Sequence, residues 1–324
     1  MVKKIIVGVL LSVFLIVSLI GCNSQPSSPG SPSETALEKA VTLRFSINAS
    51  VDHIWCKALQ LFADEVKDGT EGRINIDVYP DASLSEGNEA TLVQQIFVGT
   101  IDGGIFPASS ANNIFSAIGY PFLFSSQEQA KAMLDSDICA EMLDSVEELG
   151  VKGLALCENG FRQITNNVRP IKTPDDMVGL KIRAPLVANI TSVLQALGAD
   201  PVSISFGELY VALQQGTADG QENAFSTIAG NRLYEVQDYC TVINYMYGIN
   251  MLGVHEKVWG SLSKEDQEIF YQAANKAREY IFNESLAMEN DYIQTLKDAG
   301  VELYYPNAEE FQQFKRACDT QEVL

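Results

Sequence analysis

The sequence LKIRAPLVANITSVLQALGADPVSISFGELYVALQQGTADGQEN, residues 180–223, decides the fold because strand and helix patterns alternate along it. In residues 180–184 apolar side chains alternate with Lys181 and Arg183, which is the period of a strand with one buried face. Pro185 ends this strand, since proline has no N–H to donate to a neighbouring strand. A helix is predicted next, because apolar residues recur at positions 190, 193, 194 and 197 before Gly198.

The same alternation continues through the rest of this stretch. Residues 201–204 predict a short strand, and Ser205 and Glu208 have the spacing of a capping box for a helix that ends at Gly216. A last strand follows. Two consecutive βα crossovers predict a mostly parallel sheet, whose ligands bind at the carboxyl ends of the strands, and Arg183 lies at such an end.

Four segments of this stretch, GLKIRAP, ALGADPV, FGELYVALQQG and ADGQEN, carry a family resemblance. In order and spacing they resemble the solute-binding proteins of tripartite ATP-independent periplasmic (TRAP) transporters, of the dicarboxylate type, and the resemblance extends from about residue 41 to about residue 317. It implies an α/β protein with the two-lobe periplasmic-binding-protein fold, type II-like. Such a protein captures a small organic acid between its lobes and delivers it to an ion-gradient-driven membrane permease.

The flanking sequence predicts further strands and helices, and the length of 324 residues favours two lobes. Residues 158–163 break a strand pattern around Gly160, so the first lobe boundary is placed there. Strands are predicted at 41–47, 74–78, 101–106 and 151–156, and helices at 54–69, 86–98, 127–149 and 231–236. The segment Gly99–Gly103, GTIDG, recurs as GTADG at 216–220, which is typical of two similar lobes.

A long helix is predicted over residues 264–299, with Ser263 as its N-cap and Gly300 as its end. Unbroken, it would measure about 54 Å, more than one lobe. It resembles the family's helix that spans both lobes. We therefore assign residues 41–160 and about 249–288 to lobe I, and residues 161–248 and about 289–324 to lobe II.

Arg183 is the first candidate ligand-binding residue. Its guanidinium offers parallel N–H donors that match a carboxylate, although a surface salt bridge is the usual role of an arginine. The resemblance implies the ligand-binding role, because the family's selectivity arginine lies in the context that residues 180–185 match.

The resemblance implies further ligand contacts. Arg162 would supply a second donor group, and Asn223, which ends GQEN, would donate its amide to the carboxylate. The family commonly has proline after this asparagine, whereas this chain has Ala224. Phe206 would form an apolar wall, with a place in the core as the alternative. Glu89 would face the cleft and meet a cation or ligand hydroxyl, with a solvated helix face as the alternative.

Charge and motifs exclude several classes of function. The formal net charge of −20 repels phosphate backbones, so no nucleic-acid partner is expected. The signatures GxGxxG, GxxxxGK[ST], HExxH and GxSxG are missing, and neither an enzyme nor a cofactor is expected. His53 and His255 are far apart in sequence, so no metal site is expected, and Glu222 is assigned a solvent or arginine partner. A binding protein of an ATP-driven importer and a ligand-sensing receptor for a kinase remain the alternatives.

The N-terminus predicts export and lipid anchoring. Two lysines precede an apolar run at 5–20, and the Leu-Ile-Gly-Cys ending resembles a lipobox, so residues 1–21 are assigned as a lipoprotein signal peptide. Cys22 would be lipidated and residues 22–40 would form a flexible tether. The protein is therefore expected outside the cytoplasmic membrane, in the periplasm or on the outer face, although an uncleaved anchor is the alternative reading. Of the other cysteines, Cys157 and Cys240 are either a disulfide pair or free buried thiols.

Overall fold

The computed structural model describes residues 40–185 and 187–319. The assigned signal peptide, Cys22 and the tether up to residue 39 lie outside these residues. The strands are β1 (Val41–Ile47), β2 (Ile74–Tyr79), β3 (Gly103–Pro107), β4 (Val151–Asn166), β5 (Lys181–Ala184), β6 (Asp200–Ser203), β7 (Gly220–Ala224), β8 (Tyr239–Thr241), β9 (Tyr247–His255) and β10 (Glu302–Tyr304). The α-helices are α1 (Ile54–Gly69), α2 (Glu89–Phe97), α3 (Ala108–Ala111), α4 (Gln127–Leu134), α5 (Asp137–Asp144), α6 (Ala188–Ala196), α7 (Leu209–Gln214), α8 (Phe225–Gly230), α9 (Glu256–Ser261), α10 (Lys264–Asp298) and α11 (Ala308–Cys318).

One mixed sheet connects the strands in the order β2-β1-β3-β9-β4-β7-β5-β6, and β8 pairs with both β4 and β10. The crossover pairs β1–β2, β1–β3, β5–β6 and β5–β7 are parallel, as the sequence patterns predict. The long strands β4 and β9 instead run antiparallel to each other and to their other neighbours β7 and β3. The expectation of a mostly parallel sheet therefore holds only on either side of the β4–β9 pair.

The strand β4 does not end where the sequence predicted a break. It runs from Val151 to Asn166, and its register against β9 shifts between Glu158 and Gly160. Gly160 has a φ of +101°, a conformation that glycine adopts without steric cost, so the chain makes a bulge and continues. The first part of β4 pairs with β9, and the second part pairs with β7 and β8.

Two helix predictions also differ from the structure. The helix predicted at 127–149 is divided into α4, α5 and a short 3-10 turn, because Ser136, whose hydroxyl donates to the carbonyl of Met133 at 2.6 Å, ends the first segment. The capping box predicted for Ser205 is wrong. Its hydroxyl donates to the Glu208 carboxylate at 2.6 Å, and its side chain caps no backbone N–H.

The long helix α10 has 35 residues, about 53 Å, and its N-cap Ser263 accepts from the backbone N–H of Asp266. Its N-terminal part contributes Phe270 and Ile281 to a core that also contains β1 and α1. Its C-terminal part contributes Leu296 to a separate core that contains α7 and α8. One helix therefore takes part in two separate hydrophobic cores.

The repeated segment makes the same turn twice. The carboxylate of Asp102 accepts from the Arg44 N–H at 2.7 Å, and the Asp102 N–H donates back to the Arg44 carbonyl at 2.9 Å. Asp219 forms the same two bonds with the N–H and carbonyl of Lys181, both at 2.8 Å. Each aspartate leads into a strand that pairs in parallel with β1 or β5, so the repeat marks equivalent βα units. Within the residues that the structure describes, no helix has both the length and the apolar composition needed to cross a membrane.

Candidate ligand-binding site

A cavity that is partly open to solvent lies where the second part of β4, β5 and β7 meet the loops after β1 and β3. All five candidate ligand-binding residues line it: Arg183, Arg162, Asn223, Phe206 and Glu89. They come from positions 89 to 223 of the chain, so the fold brings together what the sequence leaves far apart. The structure confirms that they share one cavity.

Arg183 lies at the end of β5 and is only 3% exposed. Its Nε donates to the carbonyl of Ile204 at 2.8 Å, and its guanidinium carbon is 5.8 Å from the centre of the Phe206 ring. Among the described residues it forms no ion pair within 4 Å. Burial lowers the pKa of Arg183 to about 10, although the charges of Glu89 and Glu222 oppose the shift. The side chain is thus still a cation at neutral pH and keeps both Nη groups available.

Arg162, on β4, is paired inside the protein. Its Nε and Nη2 both donate to the Glu222 carboxylate, the latter at 2.8 Å, and Nη2 also reaches the Glu222 carbonyl at 2.9 Å. The hydroxyl of Tyr245 donates to the same carboxylate at 2.5 Å. Burial opposes the charge of Arg162, but the Glu222 carboxylate outweighs burial and raises the pKa of the arginine. The expected arginine partner of Glu222 is confirmed, and most donors of Arg162 are already engaged.

Asn223, on β7, belongs to the same network. Its side-chain oxygen accepts from Arg162 at 3.0 Å, and its amide nitrogen donates to Gln221 at 2.6 Å. An amide nitrogen carries two N–H groups, so one remains for a ligand. Arg162 therefore fixes the orientation of the Asn223 amide toward the cavity that both side chains line.

Glu89 and Phe206 form a different part of the wall. Glu89 is the first residue of α2, and its carboxylate accepts from the side-chain amide of Asn48. Burial raises its pKa, while the charges of Arg183 and Arg162 oppose that shift. Glu89 is partly buried and lines the cavity, so it faces the cleft rather than the outer surface of the helix. Phe206 is partly buried and lies in a 3-10 turn, where its ring packs beside Arg183.

Several residues of the cavity were not identified from the sequence. Asn48 follows β1 directly, which is the carboxyl end of a parallel strand and could have been found by that rule. Trp55, Asn159 and Thr227 also line the cavity. No local pattern marks them, because their neighbours in space come from distant parts of the chain.

The remaining candidates have structural positions. His53 is buried and caps α1, where its Nδ1 accepts from the Trp55 N–H at 3.2 Å, and burial lowers its pKa to about 4. The cysteines other than Cys22 are all free and buried, including Cys157 and Cys240, which do not form a disulfide. Between residues 40 and 319, Leu186 aside, no group of three or more His, Cys, Asp or Glu side chains is arranged to hold a metal ion.

Comparison with known proteins identifies similar chains. Residues 45–321 match the DctP family, described as bacterial extracellular solute-binding protein, family 7. A solute-binding protein of Roseobacter denitrificans is 32% identical over 269 residues, which cover 81% of this chain and 82% of the relative. A TRAP periplasmic solute-binding protein from a Polaromonas species, solved with D-erythronate, is 30% identical with a TM-score of 0.82 and covers 86% of this chain and 91% of its own. A TRAP periplasmic solute-binding protein from Haemophilus influenzae, solved with L-gulonate, is 30% identical with a TM-score of 0.81. The match covers 86% of this chain and 91% of that protein. These similarities confirm the predicted two-lobe α/β fold.

Proposed function

Because the chain belongs to family 7 of the bacterial extracellular solute-binding proteins and is a TRAP-type binding protein, we propose that it captures a small organic acid through Arg183. The observation that carries this proposal is the contrast between two buried arginines in one cavity. Arg162 is neutralised by Glu222, whereas Arg183 has a backbone carbonyl and an aromatic ring as neighbours. A carboxylate ligand would supply the missing partner.

The bound relatives indicate the class of acid. D-Erythronate and L-gulonate are sugar acids with one carboxylate and several hydroxyls. We therefore propose a sugar acid rather than a dicarboxylate as the ligand. Arg183 would hold the carboxylate through two parallel N–H groups, and the free N–H of Asn223 would bind the same group. Arg162 would act mainly by orienting Asn223, while Phe206 forms an apolar wall and Glu89 accepts from a ligand hydroxyl.

Lobe I would comprise residues 41–160 and about 249–288, and lobe II residues 161–248 and about 289–324. The change of β4 partners near Gly160 and the separate cores joined by α10 support these boundaries. Closure of the lobes would remove water from the cavity, and the interaction between Arg183 and a carboxylate strengthens as the local dielectric falls. The closed, loaded form would then be recognised by the membrane subunits of a TRAP transporter.

The direct test is a thermal-shift screen of the purified protein against organic acids, neutral sugars and amino acids. A ligand at about 100 times its Kd adds roughly 2.7 kcal/mol to the free energy of unfolding, which moves the midpoint by a few degrees. We expect a carboxylate class to do this, Arg183→Ala to lose the shift and Arg316→Ala, which removes an exposed arginine on α11, to keep it. Stabilisation by neutral compounds alone, or an undiminished shift in Arg183→Ala, would contradict the proposal.

The family places the protein outside the cytoplasm, and lipid anchoring at Cys22 is proposed in addition. The lipobox-like sequence at 19–22 and the Ser/Pro-rich stretch after it support this proposal. Mass spectrometry of the mature protein should find an acylated N-terminal cysteine, and Cys22→Ser should release the protein from membranes. A mature chain that starts elsewhere without lipid would contradict the anchor and leave the binding function intact.

A further inference from the structure

Three residues that line the Arg183 cavity each have a buried polar atom without a hydrogen-bond partner among the residues that the structure describes. The atoms are the indole Nε1 of Trp55, the hydroxyl oxygen of Thr227 and the side-chain oxygen of Asn159. Trp55 is 6% exposed and Thr227 1% exposed, and each of the three atoms is inaccessible to solvent. Folded proteins satisfy nearly all of their buried polar groups, so three unsatisfied groups on residues of one cavity lining indicate that a ligand provides the partners.

The three side chains come from different elements. Trp55 lies in the first turn of α1, Asn159 at the bulge of β4 and Thr227 in α8, directly after β7. None of these positions coincides with the group around Arg183, which comes from β5, α2 and the turn at Phe206. The cavity lining therefore includes polar side chains from α1, β4 and α8 in addition to Arg183 and its neighbours.

Trp55 is fixed in position by its neighbours. Its backbone N–H donates to the imidazole of His53, and the two rings lie 4.5 Å apart. His53 itself is wedged against α8, where a Cβ placed on Gly230 would be 2.8 Å from the imidazole. Because His53, the neighbour of the indole, is itself packed against α8, the indole N–H cannot turn toward another acceptor without repacking the start of α1.

The chemistry of the three atoms specifies their partner. An indole N–H only donates, an amide oxygen only accepts, and a threonine hydroxyl does both. A ligand carboxylate would satisfy Trp55 but not Asn159, and an ammonium group would do the reverse. A hydroxyl both accepts and donates, so a ligand with neighbouring hydroxyls satisfies all three groups.

We propose that Trp55, Thr227 and Asn159 form a hydroxyl-binding region that selects hydroxylated acids over unsubstituted acids of the same length. This inference rests on the proposed function, because Arg183 is taken to hold the carboxylate of the same molecule. An unsubstituted acid would bind more weakly, because its alkyl chain would leave the three buried polar groups without hydrogen-bond partners.

The test compares matched ligands by titration calorimetry. The ligands are hydroxylated acids of four to six carbons, among them D-erythronate and L-gulonate, each beside its unsubstituted counterpart, such as butanoate and hexanoate. We expect the parent protein to prefer the best hydroxylated acid by at least about 100-fold, a lower bound for a site whose buried polar groups the unsubstituted acid leaves unpaired. Trp55→Phe and Thr227→Val, which remove single polar groups and nearly preserve shape, should each weaken that acid about tenfold. Neither should weaken the unsubstituted acid.

The chain offers a matched control in its other tryptophan. Trp259 packs against Phe270 and Tyr271, away from the cavity, so Trp259→Phe should leave both affinities unchanged. In that variant Trp55 is the sole source of indole fluorescence, because the chain has 2 tryptophans. A hydroxylated acid should therefore change the emission of Trp259→Phe, which a purely structural Trp55 would not show.

The outcomes separate this inference from the proposed function. If no acid binds the parent protein, the proposed function fails. If acids bind through Arg183 but Trp55→Phe and Thr227→Val bind the hydroxylated acid as tightly as the parent, the hydroxyl-binding region is wrong and the proposed function stands. An unsubstituted acid that binds the parent at least as tightly as every hydroxylated acid would overturn the region as well.

Discussion

The two βα units that carry the repeated GT-x-DG segment share a backbone arrangement but differ in what they present to the cavity. Asp102 and Asp219 make the same pair of bonds to the strands β1 and β5. In the first unit the register of β1 and β3 pairs Phe45 with Gly103, and in the second unit the register of β5 and β7 pairs Ile182 with Gly220. The next residues, Ser46 and Arg183, therefore hold equivalent places.

Those equivalent places have different chemistry. Ser46 is fully buried, and its hydroxyl donates to the carbonyl of Tyr79 at 3.0 Å. Its side chain therefore links β1 to β2 within the sheet. Arg183 lines the cavity, and its Nη groups have no hydrogen-bond partner among residues 40–185 and 187–319. The comparison teaches that two units with the same backbone arrangement can carry different side chains at one equivalent place, and the proposed binding role falls on the place where the two units differ.

A second pair of positions sharpens this contrast. Glu222 and Glu158 are both buried carboxylates that accept from a tyrosine hydroxyl, Tyr245 and Tyr247 respectively. Glu222 has a cation, Arg162, whereas Glu158 has no cation within salt-bridge distance in the described chain. The charge of Glu222 is therefore balanced by a cation, whereas Glu158 has hydrogen bonds alone to offset the cost of its burial.

Glu222→Gln should have the largest effect on stability. Removing the carboxylate leaves Arg162 buried without its counterion, and breaking a buried ion pair from one side costs about 3–5 kcal/mol. Urea unfolding at pH 7 measures the change. Arg183→Met is the matched comparison, because it removes a buried arginine that has no ion pair, and should cost about 1 kcal/mol for the bond to Ile204. Equal losses in the two variants would contradict the distinction between the arginines.

Glu158→Gln should increase stability at alkaline pH by about 3 kcal/mol. Burial raises the pKa of Glu158 to about 7, and the charge of Glu289 adds to the shift, while the Tyr247 hydroxyl opposes it. The folded state therefore binds this proton more tightly than the unfolded state, and the contribution of Glu158 to stability is lost as pH rises through 7. Each pKa unit corresponds to about 1.4 kcal/mol.

The pH profile provides the check for Glu158. The free-energy difference between Glu158→Gln and the parent should approach a constant above pH 8 and shrink toward pH 5. Subtracting the parent cancels the titration of all other carboxylates. A difference that does not change between pH 5 and 8 would show that Glu158 has an ordinary pKa in the folded protein.

Asp102→Asn and Asp219→Asn should have smaller effects than Glu222→Gln and Glu158→Gln, and the two effects should be similar. Each substitution replaces a charged acceptor of one backbone N–H, so we expect each to cost about 1–2 kcal/mol. Differential scanning calorimetry of the two single variants measures the costs. A loss confined to one aspartate would show that the two turns are not equivalent.

The local alternation of strand and helix was readable from the sequence because it depends on neighbouring residues. β1, α1 and β5 lie where their apolar periods predict, and the repeat correctly marks equivalent turns. The Arg162–Glu222 pair was harder to foresee in detail, since it depends on the antiparallel register of β4 and β7, which sets Arg162 opposite Ala224. The continuity of β4 was missed because the bulge at Gly160 resembles a chain break in sequence.

The residues that line the cavity were predicted only in part from the sequence. The five candidate residues were found through their sequence context, and all of them line the cavity. Trp55 and Thr227 were missed because each becomes informative only when its unpaired polar atom and its place in the cavity lining are known. Unsatisfied hydrogen bonding is a property of the packed structure, and no residue pattern records it.

The central claim is that Arg183 recognises the carboxylate, and titration calorimetry tests it with an acid and its neutral counterpart. For the tightest sugar acid from the screen, we expect the parent to prefer the acid over the corresponding alditol by at least about 100-fold, within the 2–5 kcal/mol range of a buried charge pair. Ser46→Ala, at the equivalent place in the other βα unit, should keep this preference. Arg183→Gln should reduce it to less than about tenfold. An Arg183→Gln variant that retains the parent's preference for the acid would contradict the account.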